Sequence, residues 1–173
     1  MAKKKSAAAK LRIYIIKVSL KSEPTIWRRI AIREDQTLGE LHEAIFEAFD
    51  RIEEHLYSFY VPPVGVTGKK ALRLAVEYTH PFCLEQPWDD REINDAEETE
   101  LRALGLRQGR KIHYLFDFGD SWEHDVVFEK LNEPCESGVY PRIIERNGDS
   151  PPQYDFDDDD DDDDEDEDED SED

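Results

Sequence analysis

The chain has 173 residues, a length typical of one domain, and it carries 44 acidic against 22 basic residues. The excess is concentrated at the C-terminus, where 17 of the 19 residues from 155 to 173 are Asp or Glu, and the rest of the chain has a net charge of −5. Direct nucleic-acid binding is disfavoured, because such a segment competes with phosphate for any basic surface.

Two terminal segments are predicted to lie outside the folded domain. Residues 1–10 carry four lysines and no apolar run, so we expect a basic disordered N-terminus and no secretory signal. Residues 155–173 lack apolar surface and repel each other, so we expect a disordered polyacidic tail. This tail either keeps the protein soluble, attracts basic partners electrostatically, or binds cations weakly at many sites. The folded domain is expected over residues 11–154, in the cytoplasm and without a membrane span.

The first third of the domain predicts a hairpin followed by a helix. Alternating apolar residues indicate strands at Ile13–Leu20 and Ile26–Arg33, although Arg28 falls on the apolar face of the second strand. Thr37 and Glu40 then form the pattern of a capping box, and apolar residues at helical spacing predict a helix that ends near Asp50.

The rest of the domain predicts short strands and a second, short helix. The predicted elements are strands at Leu56–Val61 and Leu72–Val76, a short helix at Glu98–Leu104 capped by Gly105, and a hairpin of Lys111–Phe118 with Trp122–Leu131. Proline and glycine indicate loops after the hairpin. This order predicts an α+β fold, a β-grasp-like (ubiquitin-like) mixed sheet with one main helix and a short second helix.

The register of the hairpin follows from its apolar pattern. A three-residue turn, Gly119–Ser121, pairs Phe118 with Trp122 and Phe116 with His124, so that the apolar side chains share one face. In this register His124 lies on the aromatic face, where a neutral, hydrogen-bonded structural histidine is the plain interpretation.

The same hairpin also carries the residue types of an active site. Asp117, Asp120, Glu123 and His124, beside Trp122, suit acid–base or metal chemistry, but their spacing matches no catalytic motif. The predicted register places Asp117 opposite Glu123, which requires either a neighbouring cation or exposure to water. We assign no catalytic residue, no metal ligand and no cofactor from these patterns.

The second strand contains a candidate contact surface. Trp27, flanked by Arg28 and Arg29, is suited to contact a partner, and the alternative is that Trp27 packs beneath a loop.

Several motifs together resemble one known family. In chain order they are IWRRI (26–30), TLGELHEAI (37–45), HLYSFYV (55–61), YLFDFGDSWEHDVVFEK (114–130), YPR (140–142) and the late Pro151-Pro152. This combination resembles the Ri-plasmid ORF-three-like family over nearly all of residues 11–154. The resemblance implies an α+β domain near the β-grasp type and implies no established reaction.

The sequence departs from the family pattern at possible metal ligands. Relatives often carry cysteines in the YPR and Pro-Pro segments, where this chain has none, and Tyr57 replaces the second histidine of an HLHxF pattern. Three functions remain open. The first is a non-catalytic module that binds a protein partner, which would be basic if the acidic tail attracts it. The others are a metal-dependent or acid–base hydrolase at the hairpin and a mobile-element accessory protein acting near DNA. The oligomeric state is left open.

Overall fold

The computed structural model describes residues 10–85 and 91–154. The predicted polyacidic tail and residues 1–9 of the predicted basic N-terminus lie outside the described residues. None of the helices in the described ranges has the length and apolarity needed to cross a membrane.

Strands dominate the described residues. The elements occur in the order β1 (Arg12–Leu20), β2 (Trp27–Arg33), α1 (Leu38–Ala48), β3 (Tyr57–Val61), α2 (Lys69–Arg73), β4 (Val76–Thr79), α3 (Pro81–Leu84), β5 (Ile93–Asp95), a 3₁₀ helix (Leu101–Leu104), β6 (Lys111–Phe116), β7 (Trp122–Pro134) and β8 (Arg142–Asn147).

All eight of these strands belong to one mixed sheet in the order β5-β4-β3-β6-β7-β1-β2-β8. Neighbouring strands are antiparallel except β4 and β5, which are parallel. The main core lies between α1 and one face, where Leu41 and Ile45 of the helix meet Ile16, Ile30 and Phe128 of the sheet. The opposite face carries alternating polar side chains and a second, smaller apolar cluster of Ile13, Ala31 and Tyr140.

The predicted β-grasp fold is wrong. The structure is a broad eight-stranded sheet, and α1 is the one helix longer than five residues in the described ranges. The prediction missed β8, which lies in the proline- and glycine-rich segment that indicated loops, and β5, which has only three residues. Both strands pair along edges of the sheet, where strand N–H and C=O groups otherwise lack partners.

The predicted strand at Leu72–Val76 is also wrong. Residues Lys69–Arg73 form α2, and β4 starts only at Val76. The alternation of Leu72 and Leu74 did not reflect burial, because both side chains are exposed.

Other local predictions are confirmed. Thr37 and Glu40 form the capping box of α1 through reciprocal hydrogen bonds of 3.2 and 2.8 Å. The 3₁₀ helix ends at Gly105, whose φ of 61° lies in the left-handed region that glycine adopts at little cost.

The hairpin of β6 and β7 exists, but its predicted turn is wrong. Phe116 pairs with Trp122 and Tyr114 with His124, so the connecting loop has five residues, 117–121. The register differs from the predicted one by two residues, which preserves the face on which each side chain lies. His124 therefore does lie on the aromatic core face.

Arg28 is a buried charge, with 1% of its surface exposed. Its Nε donates to the carbonyl of Ala48 at 2.7 Å, at the C-terminal end of α1, and its Nη1 donates to the carbonyls of Asn147 and Gly148 at 3.0 Å each. Its Nη2 donates to the hydroxyl of Ser150 at 2.7 Å. One guanidinium thus joins β2, the end of α1 and the segment after β8, and at the end of α1 it shares with Arg146 a carbonyl that has no partner within the helix.

We expect Arg28→Met to lower the free energy of unfolding by about 3 kcal/mol or more, because the hydrogen-bond network that joins β2, the end of α1 and the segment after β8 loses its charged donor. Arg29→Met serves as the matched control, since Arg29 makes partly exposed ion pairs with Glu129 and Glu145 and such pairs contribute about 1 kcal/mol or less. Urea unfolding of both variants measures the difference. Similar losses in the two would contradict the assigned role of Arg28.

Candidate functional site

Asp117 organises the hairpin loop. Its φ of 57° ends β6, its Oδ1 accepts hydrogen bonds from the backbone N–H groups of Gly119 and Asp120 at 2.9 and 3.3 Å, and its carbonyl accepts from Ser121 N–H at 2.7 Å. Its other carboxylate oxygen lies 3.5 Å from His55 Nε2. The carboxylate is buried and hydrogen-bonded to the backbone of the turn, so its role in this structure is to stabilise the loop.

His124 is enclosed in the core, with 1% of its surface exposed. Its Nδ1 lies 3.0 Å from the carbonyl of Trp122, an arrangement that places the proton of a neutral imidazole on Nδ1. Burial, reinforced by the nearby Arg51 guanidinium, lowers the pKa of His124 to about 3. The predicted interpretation as a neutral structural histidine agrees with this environment.

Trp122 also has a packing partner. The Arg51 guanidinium lies over the indole ring, 3.6 Å from its centroid, and Arg51 Nη1 donates to the carbonyl of Pro151 at 3.4 Å. Burial lowers the pKa of Arg51 to about 10. The C-terminal segment near Pro151 thus covers a buried cation that stacks on the hairpin.

The remaining hairpin candidates do not join these residues. Asp120 and Glu123 are exposed, and Glu123 forms an ion pair with Lys21 on the sheet face opposite to His124. Leu115, not Asp117, pairs with Glu123, because the strand ends before Asp117. The structure therefore does not bring the four acid–base candidates into one site.

The three candidates of the second strand are also separated. Trp27 lies half-buried on the open sheet face, between Lys17 and Arg29, whose charged groups are 4.7 and 4.9 Å from its ring centroid. Hydrogen bonding to Glu129 raises the pKa of Arg29. Arg28 points to the other face and is buried, so it is not part of a contact surface.

A different group of side chains does converge, in a cleft at the N-terminal end of β3. The cleft has a volume of about 390 Å³ and is lined by His42, Glu43, Glu54, His55, Leu56, Tyr57, His80 and Glu97. We call it the His–Glu cleft. Its side chains come from α1, from the start of β3 and the segment before it, from the residue after β4 and from the segment after β5, so tertiary structure alone assembles it.

Tyr57 forms the wall of the His–Glu cleft. Its ring stacks on the His42 ring with 3.7 Å between centroids and 8° between planes, and its hydroxyl donates to Glu97 Oε1 at 2.5 Å. His42 Nδ1 in turn lies 2.7 Å from the Tyr114 hydroxyl. Burial, with a smaller effect of His80, lowers the pKa of His42 to about 3, and burial and Glu97 together raise the pKa of Tyr57. Both wall residues are therefore neutral near pH 7.

Gly39 lies against the Glu97 carboxylate and leaves the space that it occupies. The backbone N–H of Gly39 donates to the carbonyl of Ala96 at 3.0 Å, which brings the first turn of α1 against the segment after β5. A Cβ atom at position 39 would overlap the Glu97 carboxylate. Only glycine leaves room for the carboxylate that holds the Tyr57 hydroxyl.

Three carboxylates, those of Glu43, Glu54 and Glu97, make the His–Glu cleft acidic. Burial and the neighbouring carboxylates of Glu54 and Glu97 raise the pKa of Glu43. In residues 10–85 and 91–154, no Lys or Arg forms an ion pair with Glu43, Glu54 or Glu97. The same described residues contain no group of three His, Cys, Asp or Glu side chains placed to hold a metal ion.

Sequence reasoning missed this cleft. One signal was available, because His42, His55 and His80 are three of only five histidines in the chain. They are dispersed over nearly forty residues, however, and no local spacing connects them.

Comparisons with known proteins place this architecture in a family. The model of the plasmid pRiA4b ORF-3-like proteins matches residues 12–159. The chain belongs to this family. The predicted resemblance to an Ri-plasmid ORF-three-like family is confirmed, and the family match includes the segments that supply His42, His55, Tyr57 and His80.

Two relatives of the plasmid pRiA4b ORF-3-like domain illustrate how far the likeness extends. The uncharacterized protein y4hQ of Sinorhizobium fredii is 29% identical over 132 residues, which cover 76% of this chain and 59% of that protein. A protein of unknown function from Methanosarcina mazei Go1, MM3350, has a crystal structure that matches with a TM-score of 0.66 and 26% identity, over 84% of this chain and 75% of that one. The chain spans about three fifths of the length of y4hQ, and neither name states an activity.

We expect the stability of the domain to fall with pH in part through His124. The unfolded imidazole binds a proton below about pH 6.5, whereas the folded one stays neutral down to about pH 3, so stability is fully present above pH 6.5 and is lost as the pH falls. In His124→Phe the dependence between pH 6 and 4.5 should be shallower by about 1.4 kcal/mol per pH unit. Urea unfolding at several pH values measures this slope. Trp122→Phe alters the same wall without removing a titratable group, and an equal change of slope there would contradict the assignment.

We also expect Gly39 and Glu97 to be coupled. In a Glu97→Ala background, Gly39→Ala should stabilise the domain by up to about 1 kcal/mol, because alanine favours a helix. In the wild type the added methyl group forces the Glu97 carboxylate away from Tyr57, so the gain should be smaller or absent. Urea unfolding of the four proteins forms a double-mutant cycle. Equal effects of Gly39→Ala in both backgrounds would show that the carboxylate is not placed by the glycine.

Proposed function

We propose that this domain is a non-catalytic protein-interaction module of the cytoplasm, and that its His–Glu cleft receives a Lys or Arg side chain of a protein partner. The observation that carries the proposal is the set of three carboxylates, Glu43, Glu54 and Glu97, which share one cleft without a cation from the described residues. A bound cation relieves their mutual repulsion, and this relief favours the complex.

The walls of the cleft suit the same ligand. The stacked rings of His42 and Tyr57, with His80 against the edge of Tyr57, form an aromatic wall, and aromatic rings attract cations and contact the aliphatic stem of a basic side chain. A volume of about 390 Å³ lies at the small end of the range of roughly 300–1,000 Å³ for ligand pockets. This size supports a single inserted side chain from a larger partner surface.

The hydrolase alternative has less support, because its acid–base candidates lie on opposite faces of the sheet or are buried. The mobile-element alternative draws its support from the plasmid origin of the family description alone. Neither alternative explains why three carboxylates share the cleft without a Lys or Arg partner from the described residues.

The proposal is tested with a ligand of single charge, N-acetylarginine N-methylamide, which gains little from the polyacidic tail. Titration followed by the imidazole NMR signals of His42 and His80 should show saturable shifts in the full-length chain. Glu43→Gln/Glu54→Gln should weaken the apparent affinity by about tenfold, or about 1.4 kcal/mol.

The matched control is Glu92→Gln/Glu136→Gln, which removes two exposed carboxylates that do not line the cleft. This variant should bind the blocked arginine like the wild type. Equal weakening in both variants, or no saturable shift in the wild type, would reject the cleft as a site for basic side chains.

A further inference from the structure

A basic groove lies on the sheet face that is opposite to α1. It has a volume of about 590 Å³ and opens between the loop that precedes α2 and the loop that precedes β6. Its charged or titratable lining residues are Lys21, Lys69, Arg110, Lys111 and His113, and its remaining lining comes from Pro62, Gly65, Val66, Thr67, Gly68, Ala71, Leu72 and Gly109.

The charges of this groove are of one sign. Among the described residues, no Asp or Glu side chain lines it. Lys21 and Lys111 are paired from outside the groove, with Glu123 and Asp125, whereas Lys69 forms no ion pair with a described residue. The guanidinium of Arg110 donates to the carbonyl of Pro62, and this contact holds the guanidinium at the wall of the groove.

We propose that this basic groove binds the polyacidic segment of the same chain, residues 157–173. Sixteen of these 17 residues are Asp or Glu, and they form the largest concentration of negative charge in the sequence. The groove offers the complementary charge, and Lys69 and Arg110 offer it without an ion pair to a carboxylate of the described residues.

The segment after Tyr154 is long enough to reach the basic groove. The described chain ends at Tyr154, whose hydroxyl lies 2.6 Å from His55 Nε2 at the start of β3, while Pro62 of the groove follows the end of β3. Along the strand this separation is about 24 Å, for seven residues at about 3.4 Å each. The 19 residues after Tyr154 span at most about 63–68 Å, which also allows for the path around the sheet edge.

Covalent attachment favours this occupant over a separate polyanion. A tethered segment meets its own groove at an effective concentration in about the millimolar range, so even weak carboxylate–lysine contacts are populated. The contacts are exposed, and they should therefore disappear at high salt, where the screening length falls from about 30 Å at 0.01 M to about 3 Å at 1 M.

The test uses the full-length chain with a nitroxide at Ser171→Cys, in a background of Cys83→Ala and Cys135→Ser. At 0.01 M salt the amide NMR signals of Gly65, Gly68 and Gly109 should lose intensity relative to that of Gly138, which does not line the groove. At 1 M salt the intensity should return. A mixture of isotope-labelled chains without nitroxide and unlabelled chains with nitroxide should show no such loss.

Lys69→Glu should abolish the intensity loss, whereas Lys130→Glu, the same charge change at an exposed lysine outside the groove, should preserve it. Loss spread evenly over the domain, loss that survives 1 M salt, or equal effects of the two variants would overturn the proposal. Intensity loss in the mixed sample would overturn the assignment to the chain's own segment in favour of a second copy. The intensity loss does not depend on arginine binding in the His–Glu cleft. Failure of the proposed groove contact therefore leaves the proposed function untouched, and the reverse also holds.

Discussion

The guanidinium of Arg28 is the contact on which the arrangement of this domain depends. It occupies an apolar position of β2, yet its hydrogen-bond donors reach the last carbonyl of α1 and the two carbonyls at the end of β8. A neutral side chain there would remove this charged donor from the carbonyls of Asn147 and Gly148 and leave Arg146 as the side-chain donor to Ala48, and a hydrogen bond to a charged group contributes about 1.5–3 kcal/mol. Arg28 therefore fixes where the helix ends and where the C-terminal segment returns to the sheet.

That return path determines the surroundings of the hairpin. After Ser150 the chain runs past Arg51, which stacks on Trp122, and Gln153 accepts hydrogen bonds from the backbone N–H groups of Ile52 and Glu53 at 2.8 and 3.0 Å. The loop after α1 is thereby held in place, and it leads into the segment that carries Glu54 and His55. The His–Glu cleft thus depends, through a series of contacts, on the same buried arginine.

Local features of the sequence were readable because they depend on neighbouring residues. The capping box of Thr37 and Glu40, the left-handed cap at Gly105 and the inward face of His124 all follow from periodicity and short-range hydrogen bonding. The β-grasp prediction failed because β8 has few apolar residues and forms by pairing with β2, a partner more than one hundred positions away. Likewise, the hairpin turn depends on the Asp117 carboxylate, which accepts a hydrogen bond from the loop backbone at Gly119. A hydrophobic pattern does not reveal such a hydrogen bond.

The sequence by itself determined the uneven distribution of charge, the main helix, the central strands and the family. Each of these is written in composition, in periodicity or in motifs of a few adjacent residues. Only the tertiary structure decided that Arg28 is buried and hydrogen-bonded to distant carbonyls, that the hairpin candidates lie apart, and that three dispersed histidines and three glutamates share one cleft. The reason is physical: burial and the pairing of charges depend on which distant segments meet, and one strand pairing at the edge of a sheet can change those meetings without altering any local pattern.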